Sequence, residues 1–294
     1  MSTTYSLSDR IKSIIAIALT ILQFFILGVI LLPIYYTNMH LSIRIFRAVG
    51  SAMYCWIFQL IGLKLTIFGK SPIKQCLIIS NHMHYFDVPI ITCIANRFGL
   101  ISFVAKSTLN NVPYFNDLIF VKRDGGDMDL LRRVREQLKI GQSIGIFPEG
   151  ARVSPNNQIP FSKSIGIIAR YFKLPVVAIS HNIGYAMNKK RWFGLGLTKF
   201  SRPVTVMIHP ETDYDGVIFK YCFNKTESSS VSMDDFDVIE VVRLADKALG
   251  EVKYDLNRAI RACQMMKDLS NQAKDTIFTN EIEDLIKSNI TSPF

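Results

Sequence analysis

From Ser13 to Met39 the chain carries no Lys, Arg, Asp or Glu and is dense in Ile, Leu and Phe, with Pro33 and the adjacent Tyr35 and Tyr36 near its end. At about 1.5 Å per residue, a helix over this run covers the roughly 30 Å hydrocarbon layer of a bilayer. The apolar stretch exceeds the core of a cleaved signal peptide, about 7–15 residues, and no clear small-x-small site follows it. A second uncharged run, 48–63, makes a helix of about 24 Å, short for a crossing. Arg44 and Arg47 lie between the runs and argue against a connection on the far side of the membrane. The expectation is a membrane-embedded helical pair over 1–62 with both ends on the cytoplasmic side. One spanning-length run excludes a polytopic transporter.

Beyond Lys64 the pattern becomes short apolar runs alternating with helix-like segments. Strands are expected at 63–68, 76–80, 101–105, 118–122, 143–147, 174–180 and 204–209. Helices are expected at 88–96, 128–139 and 162–172, the last placing Ile165, Ile168, Ala169 and Phe172 on one stripe. Such alternation implies an α/β domain over 63–223 with a largely parallel sheet covered by helices. Residues 224–235 are rich in Ser and Asp and read as a loop. The remainder of 224–294 reads as acidic amphipathic C-terminal helices, with Val238, Val241, Val242, Ala245 and Leu249 on one face.

A mean hydropathy of +0.22 over 294 residues excludes a disordered chain and leaves room for a substantial core. The net charge of +10 is unevenly spread: residues 1–210 hold 24 basic against 8 acidic side chains, and 211–294 hold 10 against 16. The basic body favours an anionic partner, which charge alone leaves open among nucleic acid, an acidic membrane surface and a phosphorylated substrate. A solvated basic face is the plain alternative. Cys55, Cys76, Cys93, Cys222 and Cys263 are scattered, odd in number and without a CxxC pair. That distribution fits a reducing compartment rather than a zinc knuckle or a disulfide scaffold.

Chemistry enters at Asn81-His82-Met83-His84-Tyr85-Phe86-Asp87, directly after an expected strand. Parallel α/β sheets place ligands beyond the carboxyl ends of their strands. A His and an Asp five positions on can form an imidazole–carboxylate pair whose outer nitrogen takes a proton from a hydroxyl. Alone, that spacing equally suits a structural histidine. A second cluster, Phe147-Pro148-Glu149-Gly150-Ala151-Arg152, ends another strand, and Lys122-Arg123 ends a third. Gly150 lets backbone N–H groups approach an anion, and Arg152 offers a planar fork for phosphate. Together the clusters describe a hydroxyl-activating base beside phosphate-binding cations.

These residues resemble the glycerolipid acyltransferase family, in particular the 1-acylglycerol-3-phosphate (lysophosphatidate) acyltransferases. NHMHYFD is similar to that family's N-H-x-x-x-x-D block, IFVKR to its second block, FPEGAR to F-P-E-G-T-R, and LPVVAIS to V-P-V-x-P-V. The likeness runs in order from about Leu63 to Pro210. It implies His82 as general base, Asp87 as its partner, Arg123 and Arg152 as phosphate binders, and Glu149 and Gly150 shaping the acceptor loop; Lys122, beside Arg123, is a further candidate substrate contact. It also implies acyl transfer from acyl-CoA or acyl carrier protein to the free hydroxyl of lysophosphatidate, giving phosphatidate, without a cofactor or metal. Glycerol 3-phosphate or another lysolipid is the alternative acceptor. Asp117, Ala151 and Ala178 depart from the family's usual Gly, Thr and Pro; they leave the catalytic pair intact and bear on acceptor choice. The expected partners are a lysophospholipid, an acyl thioester and an anionic membrane surface, on which Lys189-Lys190-Arg191-Trp192-Phe193 can rest, and no nucleic acid.

Two hydrolase readings compete. Gly141-Gln142-Ser143-Ile144-Gly145 spells G-x-S-x-G, but a nucleophile elbow needs a strand before it and a helix after, the reverse of the expected order here. A metal hydrolase using His82, His84 and Asp87 lacks a compact further ligand, the next histidine being His181.

Overall fold

The computed structural model describes residues 6–72, 74–84, 86–95, 101–106, 118–121, 127–153, 159–186, 198–226, 243–244 and 256–291. Two long helices, α1 (Leu7–Thr37) and α2 (Met39–Leu60), precede an α/β body. Ser6 caps α1 by accepting the Asp9 N–H. Asn38 breaks the chain between the helices and accepts the Leu41 N–H at the start of α2.

The body contains β1 (Leu65–Phe68), β2 (Leu77–Ser80), α3 (Asp87–Ala95), β3 (Ile101–Lys106), β4 (Ile119–Val121), α4 (Asp127–Lys139), β5 (Ser143–Ile146), α5 (Ser164–Phe172), β6 (Val176–His181), α6 (Ile183–Ala186), β7 (Val204–Ile208) and α7 (Tyr214–Lys225). Helices α8 (Leu256–Asp268) and α9 (Asn271–Thr291) follow. The strands form one sheet in the order β1-β7-β6-β2-β5-β3-β4. From β6 to β4 all neighbours are parallel; β7 runs antiparallel to β6, and β1 runs parallel to β7. The sheet is therefore largely parallel, with the reversal confined to one side.

The central strands β2, β5 and β6 are buried along their whole length, as befits a parallel sheet covered on both faces. Period-two alternation divides their side chains. Leu77, Ile79, Ile144, Ile146, Val176 and Ala178 pack with Ile165 and Ile168 of α5, Phe219 of α7 and Phe278 of α9. On the other face Ile78, Val177 and Ile179 pack with Tyr54 and Phe58 of α2 and with Phe86, Ile90 and Ile91. Each such side chain taken from water contributes about 1.5–3 kcal/mol. The stripe anticipated on α5 is present: Ile165, Ile168 and Ala169 are fully buried, and Phe172 packs against the same core.

Helices α1 and α2 are both long and apolar enough to cross a membrane, by length and composition. Sequence reading stopped the second run at Ala48, whereas α2 continues back through Arg47 and Arg44 to Met39. Those guanidinium groups reach the body: Arg44 donates through Nη2 to the Ile140 carbonyl at 3.1 Å, and Arg47 donates to the Ile101 carbonyl. Near the other end, the ring of Tyr54 lies 4.6 Å from that of Phe86. Helix α2 thus lies along the body over about 20 Å. Helix α1 is tied down at its start, where Asp9 accepts the Phe200 N–H and Ser13 exchanges hydrogen bonds with Thr198. Its outer face leaves Leu22, Phe25 and Ile30 exposed, and α2 leaves Trp56 and Leu60 exposed.

Helix α7 was not anticipated. It begins at Asp213, whose side chain accepts the Gly216 N–H, and it buries Ile218, Phe219 and Cys222. The amphipathic stripe expected from Val238 to Leu249 lies outside the described residues apart from Arg243 and Leu244, of which Leu244 is buried.

Candidate active site

Strand β2 ends at Ser80, and the chain turns through Asn81–His84 before Asp87 opens α3. The turn is closed by the Asp87 carboxylate. Its Oδ2 accepts the Met83 and His84 N–H groups at 2.6 and 2.8 Å and lies 2.9 Å from His82 Nδ1. Asp87 is fully buried. Burial opposes its charge, but His181, the hydrogen bond and charge of His82 and the His84 N–H together hold its carboxyl below the ordinary value. An ionised Asp87 keeps the imidazole proton on Nδ1, which leaves Nε2 with a free lone pair. The His82 side chain is 19% exposed, so the pair is partly open to solvent. Among the described residues nothing hydrogen-bonds to Nε2.

The imidazole is also held by its face. It stacks on Phe147 with centroids 4.3 Å apart, and Phe147 stacks on Phe103 at 5.6 Å. Gly145 makes room for this column, because a Cβ there would sit 2.5 Å from the Phe103 ring. The sequence names Phe147 as part of its motif and Phe103 within a strand, but not their stacking. Strand register was the available signal, since Phe103 is paired with Gly145.

The Phe147–Arg152 segment follows β5, the parallel neighbour of β2, so both motifs leave the same edge of the sheet. Two hydrogen bonds join them at His82: its N–H donates to Glu149 Oε2 at 2.5 Å, and its carbonyl accepts the Val153 N–H at 2.8 Å. Burial chiefly, with repulsion from Asp87 and Glu283, raises the Glu149 carboxyl to about 8, against the downward pull of the His82 N–H and Lys287. Near neutrality Glu149 is a neutral acid that braces the histidine backbone. Gly150 is exposed and takes a left-handed φ of 63°, which turns the loop. Arg152 is half-buried, and its charge acts on His84. Strand β4 ends on the same edge at Val121; Lys122 and Arg123 lie outside the described residues.

His84 is buried; burial mainly, with the charges of Arg152 and His82, lowers it to about 4 although Asp87 pulls upward. Its Nδ1 accepts the Phe86 N–H at 3.4 Å. Among the described residues, no group of three or more His, Cys, Asp or Glu side chains is placed to hold a metal ion. Ser143 opens strand β5 after helix α4, is buried, and accepts the Cys76 N–H on Oγ. The G-x-S-x-G stretch is therefore a helix-to-strand turn.

An imidazole oriented by a buried carboxylate, beside a loop carrying an arginine, is a constellation for activating a hydroxyl. Residues 64–182 match the family model described as Acyltransferase. The matched segment contains His82, Asp87 and the whole Phe147–Arg152 loop. The chain is 28% identical over 173 residues to a 1-acyl-sn-glycerol-3-phosphate acyltransferase of Pseudomonas aeruginosa, covering 55% of this chain and 64% of that protein. It is also 28% identical over 105 residues to a lyso-ornithine lipid O-acyltransferase of the same organism, covering 32% of this chain and 39% of the relative. The matches thus span less than two thirds of either relative's length. Among solved structures, the chain resembles the 1-acyl-sn-glycerophosphate (LPA) acyltransferase PlsC from Thermotoga maritima. The TM-score is 0.54 at 20% identity, over 83% of this chain and 98% of that one. The two chains share their overall fold.

Proposed function

We propose that the protein is a membrane-associated O-acyltransferase that moves a fatty acyl group from an acyl thioester to the free hydroxyl of lysophosphatidate, giving phosphatidate. The observation that carries the reading is the 2.9 Å pair of His82 and buried Asp87 beside the Glu149–Arg152 loop. His82 Nε2 takes the acceptor's hydroxyl proton as its oxygen attacks the thioester carbonyl. The oxyanion is met by backbone N–H donors, the C–S bond breaks, and His82 returns the proton to the leaving thiolate. Asp87 fixes the tautomer and balances the imidazolium charge. Arg152, with Lys122 and Arg123, binds the acceptor phosphate. General-base catalysis is typically worth about 10²–10⁴-fold, and holding both substrates in register contributes up to roughly 7–11 kcal/mol. The chemistry needs no metal or organic cofactor; the donor is acyl-CoA or acyl carrier protein.

Helices α1 and α2 bring the site to a bilayer, where an amphiphilic acceptor and product reside. The arginines of α2 are held by the body, which favours both helix ends on the cytoplasmic side, with the catalytic edge facing the cytoplasm.

A second acceptor reading, another lysolipid, is favoured by the lyso-ornithine lipid O-acyltransferase among the relatives and by Ala151 at the phosphate-loop position. The test is transfer of labelled acyl groups from acyl-CoA and from acyl carrier protein to lysophosphatidate, glycerol 3-phosphate and lyso-ornithine lipid, using detergent-solubilised full-length protein. Transfer to lysophosphatidate that is lost in His82→Ala is the expected result. Full activity in that variant, or no transfer to any acceptor, overturns the proposal.

A further inference from the structure

The catalytic carboxylate has a second oxygen that the His82 pairing does not use. Asp87 Oδ1 is buried and accepts no hydrogen bond among the described residues. The polar group facing it is His181 Nε2, 3.8 Å away, at the carboxyl end of β6; both side chains are fully buried. Strand β6 is the parallel neighbour of β2, so His181 comes to the same edge as the catalytic turn.

The protonation of His181 follows from its contacts. Its Nε2 lies 2.8 Å from the Asn81 carbonyl, which can only accept, so Nε2 carries the proton. Its Nδ1 lies 3.4 Å from the Asn81 amide nitrogen, a donor. Burial favours the neutral ring. Asn81 completes the lock: its Oδ1 accepts the His181 N–H at 3.0 Å and its Nδ2 donates to the His181 carbonyl at 2.9 Å. The residue preceding His82 is thereby fixed to the strand that carries His181.

We propose that His181 is a positioning residue for the His82–Asp87 pair, its Nε2–H edge supporting the carboxylate oxygen that His82 leaves unused. That N–H donates to the Asn81 carbonyl, so its positive end acts on Oδ1 through space at 3.8 Å rather than by a hydrogen bond, and the carboxylate pulls less hard on the His82 proton. The other groups acting on the cluster are His84 from the turn, Glu149 and Arg152 from the β5 loop, and the buried Tyr54 hydroxyl from α2. Among the described residues, His181 is the one whose ring nitrogen is recorded facing Oδ1. The inference rests on the acyl-transfer reading for its kinetic readout alone.

The test compares full-length wild type, His181→Leu and His181→Gln. The Gln amide can place an N–H near the Nε2 position. Diethyl pyrocarbonate modification of His82, read by peptide mass spectrometry between about pH 5 and 9, reports when the imidazole is neutral. In His181→Leu the half-modification pH rises by about half a unit, and His181→Gln restores it. Transfer then falls about threefold near pH 6.5, recovers near pH 8.5, and leaves the acceptor KM unchanged. Unchanged modification curves, a loss equal at all pH values, or no rescue by Gln overturns the proposal. Should His181→Leu fail to fold, ¹⁵N-histidine NMR of the wild type decides. A neutral His181 protonated on Nε2 supports the assignment; a proton on Nδ1 or a charged ring overturns it. Absence of transfer in the wild type defeats the functional reading and leaves the modification curves to judge His181.

Discussion

Glu149 reaches across 67 residues of sequence to accept the His82 N–H on Oε2 at 2.5 Å, so the loop motif supports the histidine through its backbone. Gln retains an acceptor oxygen at this place, and Ala does not. We expect Glu149→Gln to keep most transfer activity and Glu149→Ala to lose about 1–3 kcal/mol of stability, the scale of an orphaned buried donor. Parallel urea unfolding and transfer assays check both; equal behaviour of the two variants would refute the bracing role.

The same residue predicts a pH dependence of stability. In the folded protein its carboxyl is raised to about 8, from an ordinary 4.5. Between these values the unfolded chain has released a proton that the folded chain keeps. Stability therefore falls as pH rises through that window, by at most about 1.4 kcal/mol per unit, and levels off above it. Thermal melts in one detergent should show a shallower fall for Glu149→Gln than for wild type. Superimposable profiles would contradict the assignment.

Asp87→Asn should lower turnover by at least about 10²-fold with the protein still folded, because an amide can leave His82 in the wrong tautomer. Asp87→Ala also strands the Met83 and His84 N–H groups and should destabilise the fold. Stopped acyl-transfer assays paired with circular dichroism separate the two effects.

Arg152→Ala should weaken use of lysophosphatidate by about 1.5–3 kcal/mol, a typical loss for a charge-assisted bond, and spare a phosphate-free lysolipid. An effect on the acyl donor alone would show that the guanidinium serves the other substrate.

Ser143→Ala should retain transfer, since the hydroxyl is engaged with the Cys76 N–H and thiol inside the sheet. Loss of activity in a folded variant would revive the hydrolase reading.

Asp275 on α9 accepts hydrogen bonds from Arg170 Nε and Nη2, each at 3.0 Å, and from the Tyr214 hydroxyl at 2.8 Å. Asp275→Ala should lower stability by about 2–3 kcal/mol, less than a fully buried pair because Arg170 reaches solvent. Chemical denaturation in detergent measures it.

The strands were legible because each is a short apolar run between turn signals, and β2, β5 and β6 are hydrophobic on both faces. His82, Asp87 and Glu149 were legible from the ordered motifs that contain them. What those motifs did not carry was contact between residues remote in sequence. The sequence offers His181 only as a metal ligand and Phe103 as a strand residue, and it places Glu283, which accepts the Phe161 N–H beside the site loop, in a tail without a motif. Helix α7 escaped notice because Asp, Gly and Lys interrupt its apolar stripe.

The packing of Tyr54 and Phe58 on Phe86 has a practical consequence. Helix α2 cannot slide along its axis without dragging the residue next to Asp87. An amphiphile that pries this helix from the body would be registered at the imidazole several ångströms away. Turnover should therefore change with the solubilising agent, and rates gathered in different surfactants are expected to differ.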